Sequence, residues 1–464
     1  ALLSGGAAAS CFLQSTLHDR LSCLVDRTSE KPDLAQCQQI VERQFSAPCQ
    51  SLGIAAVEEV ILAAGQLLHT LRESQKADLQ HIRTLEYYVT GKFMELDLAA
   101  RRNLELTETL RSKEKRGSLL WVLDKTKTAM GGRLLRSWME KPLLNQQEID
   151  QRLDAVEELT KRTVDREELI ANLKEVSDME RVMARIVTGT ASCRDLIALS
   201  NGSYRLPELK KILETMDAEL LRQLYEELDT LDDLRQLIDR AIVDDPPFSV
   251  REGGMIKPGY NEEVDRLRDI LSGGKGSLAA IEAEEKKKTG IPKLKVSYNR
   301  VFGYYIEVSK SFLSQVPDTY IRKQTLANCE RYITPDLKEL EATILTAKDR
   351  ITALEYELFT QLRTHLANQA ARVQASSHAV AVCDVLSCFA ASAVKCNYCR
   401  PEINQTSDIV ITQGRHPVVE QVLKNSLFVP NDTQIGPSSA SVAIITGPNM
   451  AGKSTYMRQV ALIV

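Results

Sequence analysis

The sequence is short of several things at once, and each shortage closes a class. Ten cysteines in 464 residues are too few to staple a disulfide scaffold, so reduced thiols are the default. No window approaches the eighteen or more uninterrupted apolar residues of a membrane helix; the nearest, Ala379 to Val394, is broken by Asp384. Ala1 to Ser10 lacks the cationic start of a secretory signal, and Ala9-Ser10-Cys11 only faintly matches a lipoprotein cleavage site, which favours a soluble chain with a cytoplasmic address. Neither sign of charge dominates. The 59 Lys+Arg and 63 Asp+Glu leave a net charge of -4, which excludes a uniformly basic protein and makes charge a matter of segments. What is present, 43% hydrophobic and 26% charged residues, supplies real cores for roughly three domains and excludes disorder or a fibrous repeat. Residue 1 is not Met, and Met457 to Val464 stops within a helical pattern without a cap, so the chain reads as a fragment.

Helical periodicity dominates: Val60 to Arg72, Ile149 to Leu159 and Leu220 to Arg240 place apolar residues at steps of three and four, which predicts a mainly α chain. Asp244-Asp245-Pro246-Pro247, Gly253-Gly254 and Pro258-Gly259 cannot continue a helix and mark a boundary between Arg240 and Tyr260. Beyond it run two heptad-like stretches, through Val264, Leu267, Leu271, Leu278 and Ile281, and through Leu337, Leu340, Ile344, Ala347, Ile351, Leu354 and Leu358. Laid antiparallel they form an arm, about 30 Å long over Leu337 to Leu358. Between them Lys293 to Tyr298 alternates polar and apolar residues, and Tyr304 to Val308 is again extended, with Asn299 to Gly303 suited to the turn. The pattern predicts a small sheet on a helical stalk.

The positive charge is concentrated at that tip. Between Lys286 and Lys323 stand nine cations (Lys286, Lys287, Lys288, Lys293, Lys295, Arg300, Lys310, Arg322, Lys323) and two anions, Glu307 and Asp318. Such a patch suits a polyanion, above all nucleic-acid phosphates, with Tyr298, Tyr304, Tyr305, Asn299, Gln324 and Asn328 as neutral donors; the alternative is a solvated face without a ligand.

Gly447-Pro448-Asn449-Met450-Ala451-Gly452-Lys453-Ser454 satisfies every fixed position of the GxxxxGK[ST] phosphate loop. Val442 to Ile445 before it reads as a short buried strand, and Met457, Val460, Ala461 and Val464 after it give a helical face, so the order is strand, glycine loop, helix. The glycines let successive amides point inward, the helix N-terminus adds positive potential, Lys453 neutralises β and γ phosphates, and the Ser454 hydroxyl suits Mg²⁺. ATP with Mg²⁺ is the expected ligand. Hydrolysis needs a further acidic residue and a base to orient water, so this chain alone is expected not to turn over ATP. Cys396-Asn397-Tyr398-Cys399, with His378, Cys383 and Cys388 upstream, invites zinc, but no second pair stands at suitable spacing and the upstream cysteines fall in an apolar helical stretch. His416 in Gly414-Arg415-His416-Pro417 has no nucleophile motif beside it and reads as a turn histidine.

Thr446 to Leu462, TGPNMAGKSTYMRQVAL, resembles the phosphate loop of the MutS mismatch-repair ATPases. Six further groups of landmarks follow in that family's order. They are Asn103-Leu104-Glu105-Leu106; Gly117 to Asp124 with Arg133-Leu134-Leu135-Arg136-Ser137-Trp138; Asp178-Met179-Glu180-Arg181; Gly253-Gly254-Met255-Ile256-Lys257; Tyr298 to Tyr305; and Gln324 to Asn328 with Glu330-Arg331-Tyr332. The resemblance implies a mainly α protein with an α/β C-terminal part: a helical core, long antiparallel levers, a small β clamp at their tip, and the start of a P-loop ABC-type ATPase domain. It divides the chain into a connector remnant (1–90), core and first lever (91–262), lever tip and DNA-binding clamp (263–335), returning lever and core (336–398) and the first part of the ATPase domain (399–464). It implies double-stranded DNA gripped by backbone contacts from Lys293, Lys295, Asn299, Arg300, Lys323 and Asn328. It assigns nucleotide contacts to Gly447 through Ser454 (Gly447, Pro448, Asn449, Met450, Ala451, Gly452, Lys453, Ser454), to Thr455, and to Phe428 as the adenine-stacking residue; Lys453 and Ser454 carry the catalytic roles. It further implies a homodimer that detects mispairs, becomes an ATP-dependent sliding clamp and meets a MutL-type partner. Phe93-Met94-Glu95 fits the letters of the family's mismatch wedge but lies at the entry to the core, and Ala451 stands where the family often has Gly. A relative that clamps branched or recombining DNA without mismatch recognition is the alternative.

Overall fold

The computed structural model describes residues 2–3, 10–20, 23, 26–27, 32–75, 79, 82, 85, 87, 91–250, 252–299, 303–326, 328–423, 427–448 and 451–464. They fall into two units, one of Ala1–Lys125, Leu134–Glu157 and Ser392–Val464, the other of Thr126–Arg133 and Glu158–Ala391. The architecture is mainly helical with small sheets, antiparallel apart from the parallel pair Leu2–Leu3 and Asp26–Arg27.

In the second unit, six helices of 9 to 11 residues between Thr163 and Ala241 bury Leu169, Met179, Met183, Leu196, Leu209, Leu221 and Ile238. Their shortness is written in caps: Asp178 accepts Arg181 N, and Ser192 and Asp195 form a reciprocal capping box. The helical run expected from Leu220 to Arg240 is two helices, Glu219–Glu227 and Asp232–Ala241. The break is local and specific. Asp229 accepts Leu231 N at 2.9 Å, which holds Leu231 at φ 55, and the same carboxylate receives Arg372 Nε at 2.8 Å. Between Arg240 and Tyr260 the chain leaves its helix at Ala241 and runs as an irregular connection bridged at Ile242 and Ile256, with both sides of it inside one unit.

The first long helix, α1 (Glu262–Thr289), is capped by Asn261 and terminated by Gly290. A four-stranded antiparallel sheet follows, built from β1 (Lys295–Asn299), β2 (Gly303–Ser309), β3 (Ile321–Thr325) and β4 (Cys329–Ile333) in the order β1-β2-β4-β3. The returning helix α2 (Pro335–Asn368) starts on a Thr334 cap with proline in its first turn. Glu282 late in α1 and Glu341 early in α2 both accept from the same sheet, and Arg268 early in α1 meets Glu355 late in α2 at 2.6 Å, so the pair runs antiparallel. Their 28 and 34 residues correspond to about 42 and 51 Å, longer than the heptads alone implied. The buried stripe on α2 runs through Leu337, Ala347 and Ile351 as expected, then steps by four to Glu355 and Phe359, leaving Leu354 and Leu358 half-buried. That four-residue step is a stutter, and it places a carboxylate on the seam.

Helix α3 (Ala370–Cys396) is 27 residues long and apolar enough to cross a membrane by length and composition, yet 67% of its most apolar window is buried inside this chain. Its Asp384, 1% exposed, accepts Lys127 N (2.9 Å), Thr128 N (2.7 Å) and Thr128 Oγ1 (2.7 Å), holding the Thr128 hydroxyl that in turn accepts Gly131 N (2.8 Å) at the start of the helix Ala129–Glu140. Cys383 and Cys388 lie buried on the same helix as small apolar residues, and burial pushes the Cys383 thiol up to about 12.

In the first unit, helices Leu34–Phe45 and Glu58–Gln75 close over Cys37, Val41, Ile54, Ile61 and Leu68. Near the C-terminus β5 (Ile409–Gly414) pairs antiparallel with β6 (Asn431–Ile435); between them lies the short α4 (Pro417–Val422), and α5 (Lys453–Ile463) follows the glycine loop. Val442 to Ile445, expected as a buried strand, is irregular and exposed. A strand is a pairing property, and among the described residues no strand lies beside it to supply the ladder.

Candidate nucleic-acid interface and phosphate loop

The four-stranded sheet is fastened to the two long helices by carboxylates. Glu282 of α1 accepts Val296 N at 3.0 Å on the edge strand β1, Glu285 accepts the Tyr320 hydroxyl at 2.5 Å, and Glu341 of α2 accepts Tyr304 N at 3.3 Å. A Cβ at Gly303, the first residue of β2, would push the Glu341 carboxylate aside, and its φ of 74 favours glycine. The hydrogen bond from Lys286 and then that from Val296 N hold the Glu282 carboxyl below its usual range, whereas burial followed by Glu285 raises the Tyr320 phenol. Beneath, Ile291, Leu294, Ile306, Val308, Tyr332, Ile333 and Leu337 form one apolar cluster.

With those acids committed, the cations separate into two sets. Lys286 pairs with Glu282 at 2.6 Å, Lys288 with Glu284 at 2.9 Å, and Arg322 with Glu330 at 3.7 Å. Lys287, Lys293, Lys295, Lys310 and Lys323 are exposed and make no ion pair among the described residues. The sequence-predicted contacts therefore share one small sheet but not one spot. Lys293 precedes β1, Lys295 opens it and Asn299 ends it opposite Gly303, all on one edge. Lys323 sits at the irregularity in β3 on the other edge, three strand spacings or about 14 Å from β1. Asn328 lies in the β3–β4 turn, its carbonyl accepting Lys310 N at 3.1 Å. Arg300 lies outside the described residues. Of the neutral donors, Tyr298 is 55% exposed beside Tyr304 (ring centroids 4.9 Å apart), but Tyr305 is buried under the Arg331 guanidinium, and the Gln324 side-chain oxygen already receives Arg331 Nη1 at 2.9 Å.

At the phosphate loop, Gly447 (φ 150) and Gly452 (φ 86) adopt backbone conformations that favour glycine, and Gly452 caps α5. Lys453 Nζ donates to Gly447 O and, at 3.1 Å, to Pro448 O, so the ammonium is folded over the loop it follows. Pro448, Ala451 and Ser454 are exposed, Thr455 is half-buried, and Asn449 and Met450 lie outside the described residues. These residues fit a nucleotide phosphate: a helix N-terminus, a cation and a hydroxyl converge there. Ser454 is the loop residue able to ligate Mg²⁺, and among the described residues no group of three His, Cys, Asp or Glu side chains could hold a metal by itself. Helix α5 is moored by Tyr456 Oη to Thr433 Oγ1 (2.8 Å) and by Arg458 Nη1 to Glu105 Oε2 (3.2 Å), where Glu105 stands at φ 51. Phe428 is half-buried three residues before β6.

His416 is a cap. Its Nδ1 accepts Val418 N and Val419 N, each at 3.3 Å, at the start of α4; burial first and Arg458 second hold the ring's proton affinity below the usual value. Phe93 forms a bridge with Leu143, a pairing role rather than a base wedge.

Sequence reasoning missed the joint at the base of the long helices. Glu355 of α2, 0% exposed, accepts Met255 N at 3.1 Å, Gly254 N, and Arg268 Nη2 at 2.6 Å, while Arg268 also donates to Ile256 O at 2.6 Å. The one available signal was a charge four residues after Ile351, beside the heptad's Leu354.

Two family models match the chain: MutS domain III over residues 99–390 and MutS domain V over residues 443–464. The chain belongs to the MutS family. Among similar proteins are the DNA mismatch repair protein MutS of Ruminiclostridium cellulolyticum, 52% identical over 415 residues (89% of this chain, 48% of that protein), and that of Acetivibrio thermocellus, 52% identical over 409 residues (88% and 47%). The MutS protein of Caldanaerobacter subterraneus subsp. tengcongensis is 49% identical over 426 residues (92% and 49%). The chain spans about half the length of these curated relatives.

Proposed function

We propose that this chain carries the core, levers, clamp and nucleotide loop of a DNA mismatch-repair ATPase that binds mispaired duplex DNA as a homodimer. ATP then converts it into a sliding clamp that meets a MutL-type partner on DNA in the cytoplasm. One observation carries the reading: a sheet whose lysines make no ion pair among the described residues is carried on paired helices of 28 and 34 residues in a chain that also contains the phosphate loop. The relatives, all DNA mismatch repair proteins by name, favour mispaired over branched DNA as the substrate.

In this reading bound ATP with Mg²⁺ supplies the charge and, in the whole protein, the hydrolysable bond. Lys453 would leave its carbonyl partners to hold the nucleotide's phosphates with the amides of the loop from Gly447 to Gly452, Ser454 would hold the metal, and Phe428 would hold the base. Lys293, Lys295, Asn299, Arg300, Lys323 and Asn328 contact duplex backbone and set affinity rather than sequence preference. The levers turn small shifts at their base into larger ones at the sheet.

The test is binding of a fluorescent ATP analogue and of a labelled duplex by the chain and by Lys453→Ala. Loss of nucleotide binding by at least tenfold with duplex affinity retained is expected; unchanged nucleotide affinity would remove the loop from the account. Turnover by the chain itself, abolished in Lys453→Ala, would overturn the expectation that it does not hydrolyse ATP alone.

A further inference from the structure

We infer that Glu307 limits the affinity of the sheet for a polyanion, its carboxylate holding the place beside Arg331 that a backbone phosphate takes, and that Arg331 is a masked phosphate contact. This rests on reading the sheet as a duplex-backbone site. The strand register aligns Lys295, Glu307, Arg331 and Gln324 in a single row across β1, β2, β4 and β3, one residue from each strand on the same face. Directly opposed side chains in such a row have Cβ atoms about 5 Å apart, close enough to share one ligand.

Arg331 is held three ways: Nε donates to Glu307 Oε2 at 3.3 Å, Nη1 donates to Gln324 Oε1 at 2.9 Å, and the guanidinium stacks 4.3 Å from the Tyr305 ring centroid. Two of the three holds are neutral. Removing the charge of Glu307 therefore frees the charge of Arg331 without freeing the side chain, the arrangement of a preorganised anion contact. Of the pair, Glu307 is the more exposed, 37% against 18%.

The same carboxylate stands among other cations. Lys295 opposes it across the strands. Burial, followed by the Glu307 charge, raises the Cys329 thiol, while Arg331 and Lys310 draw it down, which locates Lys310 in the same neighbourhood. One anion thus sits among Lys295, Arg331 and Lys310. Arginine grips carboxylate and phosphate with the same fork, so a phosphate reaches Arg331 only by displacing Glu307. A clamp that has to release or travel along DNA gains from such a built-in competitor, because each masked cation removes about 0.9 from the slope of log affinity against log salt.

The experiment is duplex affinity from 50 to 200 mM salt for wild type, Glu307→Gln, Arg331→Gln, the Glu307→Gln/Arg331→Gln double variant, and Lys293→Ala/Lys295→Ala/Lys323→Ala. Glu307→Gln is expected to bind more tightly and to steepen the slope by about 0.9, so that its advantage shrinks roughly 3.5-fold across that range. Adding Arg331→Gln returns the slope to wild type, and Arg331→Gln alone leaves it unchanged. Glu307→Asp, which keeps the charge but shortens its reach by one methylene, gives an intermediate slope and serves if Glu307→Gln does not fold. A wild-type slope in both Glu307 variants, with a flattened slope in the triple lysine variant, overturns the inference and leaves the duplex site standing. Wild-type slopes throughout overturn both.

Discussion

Replacing Glu355 tests whether the base of the levers is a rigid joint. The carboxylate is fully buried and receives Gly254 N, Met255 N and the Arg268 guanidinium, so Glu355→Ala strands two amides beside a cavity and leaves Arg268 to Asp265 (3.2 Å) and the Ile256 carbonyl. Breaking a buried ion pair by removing one partner costs about 3–5 kcal/mol. Arg268 is 27% exposed, which lets water reach its side and places the cost near the lower end, about 3 kcal/mol or roughly two decades in the local opening equilibrium. Hydrogen exchange followed by mass spectrometry on the segment containing Gly253 to Lys257 reads that equilibrium directly. The Glu355→Met/Arg268→Met double variant removes both charges with similar volume and should recover most of the lost protection, because the amides alone are cheaper to strand than the amides with a half-paired cation. A change under threefold in Glu355→Ala, or a double variant as damaged as the single, would refute the joint.

Asp384→Ala removes an acceptor shared by Lys127 N, Thr128 N and Thr128 Oγ1 in a site 1% exposed, and should lower unfolding stability by about 3 kcal/mol in a urea titration, with Asp384→Asn losing less. A loss below about 1 kcal/mol would show that the acceptor is replaceable. The cap at α4 requires neutral His416, whose folded proton affinity lies below the unfolded value of about 6.5. Its contribution is therefore complete above that pH and is lost as pH falls from there through the lowered folded value. Protection of the Val418 and Val419 amides should drop over that window in the wild type and stay flat in His416→Asn, which keeps an acceptor that does not titrate; equal profiles would contradict the capping role.

Much of the stalk could be read before any coordinates. Period-two alternation from Lys293 to Tyr298 forecast β1, and heptads forecast α1 and α2, because both patterns depend on which side of one element faces its neighbour. What escaped depends on partners distant in sequence. The Arg372 that meets the carboxylate of Asp229 lies far along the chain, and Glu355 reads as a surface charge until Arg268 and the Gly254 amide are brought to it. The strand order β1-β2-β4-β3 and its register decide that Glu307 and Arg331 share a row with Lys295, and alternation alone is silent on register between strands. Val442 to Ile445 erred the other way: apolar residues announced a strand, but pairing decides whether one forms. At the glycine loop the residue types were plain in the sequence, whereas the mooring of α5 through Tyr456 and Arg458 was not.

The central claim is that the lysines on the two edges of the sheet grip a duplex backbone. Its most direct test is the salt dependence of duplex binding in Lys293→Ala/Lys295→Ala/Lys323→Ala. Three lost phosphate contacts should flatten the slope of log affinity against log salt by about 2.7, with the thermal transition unmoved because all three side chains are exposed and make no ion pair among the described residues. A slope equal to wild type would return the sheet to an ordinary charged surface.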